Sequence, residues 1–220
     1  IQHGVHVSDF AKNLGKLSIP FSKFFCWDRE TFNYCKKNNI KNIVPIGAPF
    51  IYLDELLKSE ISLFNPRGTL SFPAHSNPEN NRNFQHEHFI KYVMDNFTGP
   101  YTACLFFLDF KESVREVYNR YGWNTVSAGN RWNLNFLDNI YKYLINHEYI
   151  IHTEIGSGFF YSLFLNKKTS YSYKCKIGKI DQYFSNFAND DFVLNQLKAF
   201  KNKNSFILDK IVNLEKGKKL

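Results

Sequence analysis

The feature that most constrains this chain is a regular change of rhythm between about residue 68 and residue 173. Short apolar runs alternate there with segments of helical spacing. GTLSFPAH reads as a strand ending in polar residues. FQHEHFIKYVMDNF has helical spacing that places Phe84, Phe89, Tyr92 and Val93 on related faces. TACLFFLDF is a continuous apolar run ending at Asp109, as a buried parallel strand requires, and it predicts a strand over about 102–109. KESVREVYNRYG is amphipathic and closes at Gly122, a C-terminal stop. NTVSAG, EYIIHTE and TSYSY continue the strands, with NFLDNIYKYLINH and GSGFFYSLFLNK as helices between them. A β-α-β-α order implies an α/β fold, a Rossmann-like parallel sheet with helices on both faces. The strands near 69–73, 102–109, 124–128 and 149–153 are expected to run parallel.

The flanks read differently. SKFFCWDRETFNYCKKNNI carries one strand-like and one helical piece, NIVPIGAP a short strand and turn, and IYLDELLKSE a short helix. The turn-rich NPRG marks a break near 57–67. Two amphipathic helices are expected in DDFVLNQLKAF and SFILDKIVNL. The expected division is therefore 1–58 as the end of a first domain with an interdomain segment, 59–180 as the Rossmann-like unit, and 181–220 as C-terminal helices with a basic tail. The chain opens without Met and without the basic start and apolar centre of a signal peptide, so it reads as a fragment, a processed form or a trimmed chain.

Composition narrows the partners. With 44% hydrophobic residues the chain is globular, and no apolar stretch reaches the ~20 residues of a membrane span. Cys26, Cys35, Cys104 and Cys175 form no CxxC pair and no tight Cys/His cluster, so no metal site is expected. Cys104 reads as core, and a reduced, cytoplasmic setting follows, with distant disulfides left open. The net charge of +8 is uneven: residues 166–220 hold twelve lysines and five acids, a net +7. Such a tail is either a solvated lysine-rich face or a peripheral contact with an anionic membrane, here the inner face. Nucleic acid is not expected, because no RNP, zinc-finger or helix-turn-helix signature accompanies the lysines.

In a parallel sheet, ligands bind beyond the carboxyl ends of the strands. Four loops follow from that rule: Pro73-Ala74-His75-Ser76, the residues after Asp109, Ala128-Gly129-Asn130-Arg131, and Thr153-Glu154-Ile155-Gly156-Ser157-Gly158. In the last, two glycines flank a serine where strand becomes helix. Backbone N–H groups at a helix start attract an anion, Gly156 and Gly158 would let a phosphate approach, and Ser157 could add a hydroxyl donor. The bland alternative is Ser157 as helix N-cap in a tight turn. His75 could donate to a phosphate or protonate a leaving group, or be a plain turn histidine. Arg131 could pair with phosphate, and Glu154 could bind a ribose hydroxyl or cap a helix. Asp109 reads as a strand-end ligand residue or as the cap of the following helix.

These residues resemble a family. His3-Gly4 resembles the QHG turn that ends a strand in many GT-B polysaccharide transferases. Residues 23–49, KFFCWDRETFNYCKKNNIKNIVPIGAP, look like the interdomain passage of those enzymes. FPAHS and EIGSGFFYSLFLNKK resemble the His-containing and Ser-containing loops of bacterial GT-B sialyltransferases and Kdo transferases. This chain has Ser76 where that group follows its His with Pro, and a single Ser157 where it has a Ser-Ser or Ser-Thr pair.

The resemblance implies a glycosyltransferase of surface polysaccharide or lipopolysaccharide synthesis, with a nucleotide-sugar co-substrate, CMP- or UDP-linked, a saccharide acceptor and no metal. It implies His75 and His3 as catalytic candidates, His3 near an interdomain cleft. Ser76, Gly129, Asn130, Arg131, Glu154, Gly156, Ser157 and Gly158 are the implied donor-binding set. Lacking most of a first domain, the chain alone would bind donor and catalyse poorly. Two other readings stay open: a sugar-nucleotide epimerase of the UDP-GlcNAc 2-epimerase type, with the same architecture, and a non-catalytic binding or scaffold module.

Overall fold

The computed structural model describes residues 23–27, 29–61, 65–75, 84–130, 132–153, 156–172 and 184–186. The expected helices over 190–220 and Cys175 lie outside these residues. Contacts divide the chain into two compact units, Leu56–Asp190 and Ile1–Glu55 together with Asp191–Leu220.

In the second of these, β1 (Phe24–Cys26) and β2 (Ile43–Pro45) form a parallel pair joined by α1 (Arg29–Lys37). Cys26 on β1 and Cys35 on α1 are fully buried. The helix α2 (Pro49–Ile61) follows, with Phe50 and Ile51 buried in its first turn. The Tyr52 hydroxyl donates to the Ile46 carbonyl, which ties α2 to the turn after β2.

The larger unit carries the alternation that the apolar runs announce. Its elements are β3 (Thr69–Phe72), α3 (His86–Asn96), β4 (Tyr101–Cys104), α4 (Glu112–Asn119), β5 (Asn124–Val126), α5 (Phe136–Asn146), β6 (Tyr149–His152), α6 (Ser157–Phe164), β7 (Lys168–Ser172) and β8 (Phe184–Asn186). The sheet order is β5-β4-β3-β6-β7-β8. The first five of these strands are parallel; β8 adds to β7 antiparallel and was not expected. Counted from β3 in chain order, the parallel part runs 3-2-1-4-5, a Rossmann-like arrangement.

Register and period two divide the side chains between faces. Ser71, Ala103 and Ile151 stand side by side on one face. There Ala103 and Ile151 join Phe89, Ile90 and Val93 of α3, Tyr118 of α4, and Leu105 and Trp123 in one apolar cluster. Phe84 and Tyr92 pack against it, so the helical spacing read from the sequence is the packing face of α3. Leu70, Thr102 and Ile150 stand on the opposite face. Thr102 meets His147, at the end of α5, with Oγ1 3.0 Å from Nε2. Thr169, in register with Ile150, donates to Ser162 of α6 at 3.0 Å. The helices α3 and α4 thus cover one face, and α5 and α6 the other.

Two local expectations need correction. The strand predicted over 102–109 ends at Cys104, and the Asp109 N–H closes a turn on the Phe106 carbonyl at 2.9 Å. The apolar run continues past the strand because Phe106 and Phe107 pack at the sheet edge, ring to ring at 4.6 Å. Nor does Asp109 cap α4. Lys111 occupies that position without a side-chain cap bond. The expected stop at Gly122 does close α4: Gly122, at φ +74°, lets Trp123 N–H reach back to the Tyr118 carbonyl at 3.2 Å.

Candidate functional site

The sheet order creates one special place. From β3 the chain steps outward through α3 to β4 and through α4 to β5; α5 then carries it back across to β6 on the other side of β3. The direction of winding reverses between β3 and β6. At such a switch point the loops leaving two adjacent strands turn to opposite faces and open a crevice at the carboxyl edge. Two of the four loops picked out in the sequence flank it, the one leading to His75 and the one leading to Gly156 and Ser157. Because β3 and β6 are hydrogen-bonded neighbours, their last residues start these loops ~5 Å apart.

The floor of the crevice is well fixed. Phe72 and His152, paired in register, stack with parallel rings 4.6 Å apart. Thr153, the next residue, sends both its N–H and its hydroxyl to the Phe72 carbonyl, each at 3.2 Å. Phe159 of α6 meets the His152 ring edge-on at 5.7 Å. Ser162 donates its proton to the Phe159 carbonyl at 2.7 Å, so the contact of its Oγ with His152 Nε2, at 3.4 Å, makes Nε2–H the donor. Burial pushes the His152 imidazole down to about 3, and it is neutral at physiological pH. The sequence reading missed this residue, since a single histidine inside an apolar strand looks like simple alternation.

On the β3 side, His75 is exposed and its ring lies against Phe106 at 4.5 Å, which links the loops after β3 and β4. On the β6 side, Gly156 occupies the N-cap position of α6, with no side-chain cap bond. Ser157 is therefore the first helical residue and not the cap. Gly156 adopts extended backbone, and a Cβ there would meet nothing within 4 Å, so the space beside the helix start is open. A Cβ at Gly158 would come into ordinary van der Waals contact with His152 Cε1, at 3.4 Å. Ser157 is hydrogen-bonded to the Tyr161 hydroxyl one turn on. Burial pushes the Tyr161 phenol up to about 12, against the pull of that bond, so it keeps its proton. That bond ties Ser157 to the second turn of α6. The first-turn N–H groups of a helix have no intrahelical acceptor and carry the positive end of its dipole.

The loop after β5 lies on the same edge, beyond the loop after β4. Gly129 N–H donates to Ser127 Oγ at 3.2 Å, and Asn130 Oδ1 accepts from Trp132 N–H at 3.1 Å. Gly129 and Asn130 thus serve the shape of their own loop. His3, Ser76, Arg131 and Glu154 lie outside the described residues. Cys104 ends β4 as a buried thiol that burial pushes up to about 12, which fits the core role read from its apolar run.

No family model matches the sequence, and no curated protein or solved structure matches it either. Among the described residues no helix is long and apolar enough to cross a membrane.

Proposed function

We propose that the crevice between β3 and β6 binds the phosphate of a nucleotide, and that the chain is the donor-binding part of a metal-independent GT-B-type glycosyltransferase of surface polysaccharide or lipopolysaccharide synthesis. The observation that carries the reading is the reversal of strand order between β3 and β6, with His75 leaving one strand and the start of α6 leaving the other. The resemblance of FPAHS and EIGSGFFYSLFLNKK to donor-phosphate loops supports the class of reaction.

In this reading the α6 N-terminus and Ser157 face the departing phosphate, and His75 donates to it from across the crevice. Such donors stabilise the charge that grows on a leaving nucleotide without a metal ion. Tyr161 orients Ser157, and the stacked His152 and Phe72 hold the two loops in register. The loop at Gly129 and Asn130, with Arg131 and Glu154, is assigned to base and ribose. The reading places the protein in the cytoplasm, with the lysine-rich residues 166–220 against the anionic inner face of the membrane.

Thermal shift with CMP, UDP, GDP and ADP tests it. Ligand at about 100 times its Kd stabilises the native state by ~2.7 kcal/mol, a readily measured rise in Tm. Calorimetry then assigns the residues. A charge-assisted hydrogen bond contributes ~1.5–3 kcal/mol, so His75→Ala should weaken binding about 10- to 100-fold; a neutral hydroxyl contributes ~0.5–1.5 kcal/mol, so Ser157→Ala should weaken it less. No response to any nucleotide would overturn the reading. Unchanged affinity in both folded variants would return His75 and Ser157 to turn and helix-start roles.

A further inference from the structure

The loop after β5 is built to hold its backbone still and to hold two large apolar side chains out. Tyr143 donates to the Ser127 carbonyl at 3.2 Å and Asn139 to the Ala128 carbonyl at 3.3 Å, so α5 clamps the start of the loop. Asn130 Oδ1 and Asn133 Oδ1 accept from Trp132 N–H and Asn135 N–H, at 3.1 and 2.9 Å, and Asn133 N–H bonds the Asn130 carbonyl at 2.8 Å. The side-chain oxygens of Asn130 and Asn133 thus shape the loop itself. Trp132 is 76% exposed and Leu134 95% exposed. Leu108, in the adjacent loop after β4, is also exposed on this edge.

We infer that this edge of the sheet docks on an anionic lipid bilayer, with Trp132 and Leu134 entering the boundary between headgroups and acyl chains. Three observations select that occupant. The exposed apolar groups are three side chains, Trp132 and Leu134 among asparagines and Leu108 beside them, and even a large aromatic offers only ~150–250 Å². That is well short of the ~800 Å² per partner of a stable protein interface. An aliphatic tip beside an indole suits hydrocarbon below a polar layer, where Trp is favoured. Charge does not oppose an anionic surface: between Ser127 and Leu137 the only charged residue is the cation Arg131. The inference does not rest on the glycosyl-transfer reading.

Of the three tryptophans, Trp123 is buried, Trp27 is half-buried, and Trp132 is the exposed one, so emission reports on this loop. The full chain is mixed with phosphatidylcholine vesicles with and without phosphatidylserine, at low and high salt, using acyl chains brominated or plain. The expected result is a blue shift and quenching by brominated chains in serine-lipid vesicles, weakened by salt and absent in Trp132→Phe. Burial of one large apolar side chain is a 10- to 100-fold effect, so Trp132→Ser with Leu134→Ser should reduce vesicle co-sedimentation by about that much, with Tm unchanged. Three results would overturn the inference: no vesicle binding, binding without any change in Trp132 emission, or a Trp132 response to CMP or UDP alone with none to vesicles.

Discussion

The two faces of the main sheet bury different kinds of group. The face under α3 and α4 is an apolar cluster built around Phe89, Ile90, Val93 and Tyr118. Two of its polar atoms, Ser71 Oγ and Trp123 Nε1, are buried there without a hydrogen-bond partner. The face under α5 and α6 buries polar groups in pairs. Thr102 meets His147, Thr169 meets Ser162, Ser162 meets His152, and Lys167 Nζ reaches the Ile145 carbonyl at 2.9 Å. The first face supplies non-directional burial, which holds the fold. The second supplies directional bonds, and these end at the crevice, where His152 stacks on Phe72 and Gly158 lies against His152. The contrast assigns stability to one face and the positioning of the β3 and β6 loops to the other.

The largest expected effect tests the apolar face. Phe89→Ala should cost ~3–5 kcal/mol in urea unfolding, the usual loss for a fully buried phenyl group and the cavity it leaves. Phe89 is 1% exposed, so little of that loss is relieved by solvent. Nucleotide affinity of the folded fraction should not change. A folded Phe89→Ala protein with altered affinity would break the division, because it would show the apolar face reaching the crevice.

Acid tests the other face. His152 is held at about 3 by burial, and burial also lowers His147 and His86. In the unfolded chain a histidine takes its proton near 6.5. Below that value the unfolded state binds more protons than the native state, so unfolding free energy must fall as pH falls. The contribution is fully present above about 6.5 and is lost toward 3. For His152 alone the slope is ~1.4 kcal/mol per pH unit, about 2 kcal/mol between pH 6.5 and pH 5. Denaturant titrations at pH 7.5 and pH 5 should show this loss, and His152→Leu should flatten it by one proton. An equally steep loss in His152→Leu would move the titration to His147 or to His86, which bonds Tyr118 of the apolar cluster at 2.9 Å.

The parts legible in the sequence were those that depend on local pattern. Phe89 and Val93 fall at helical spacing and pack, Gly122 closes its helix, and the strands at 69–72, 101–104, 124–126 and 149–152 run parallel as alternation requires. The end of β4 was not legible, because Phe106, Phe107 and Leu108 extend the apolar run while the backbone turns; hydropathy records burial, not conformation. The burial of His152 depends on Phe72, 80 residues away along the chain, and no spacing rule connects them. The same holds for the crevice: the loops at His75 and Gly156 were each readable as strand ends, but that they flank the reversal of strand order follows only from β3 pairing with β6.

The smallest effects give the sharpest comparison, because one substitution can be made on both faces. Ser162 and Ser71 are both fully buried. Ser162 donates to the Phe159 carbonyl and accepts from Thr169 and His152, so Ser162→Ala removes a partner from three buried groups. Thr169 keeps an alternative acceptor in the Lys167 carbonyl at 3.1 Å, which places the loss in the lower part of the ~1–3 kcal/mol expected for an unsatisfied buried group. Ser71 Oγ has no partner to strand. Ser71→Ala removes a hydroxyl that is desolvated for no return, and its side chain stands beside Ala103 and Ile151, where a methyl group is at home. It should leave stability unchanged or raise it by up to ~1 kcal/mol. Paired urea unfolding curves decide the matter: opposite signs uphold the distinction between the faces. Equal losses in both variants would mean that Ser71 has a bound partner, such as a buried water, and that the apolar face is wetter than its side chains suggest.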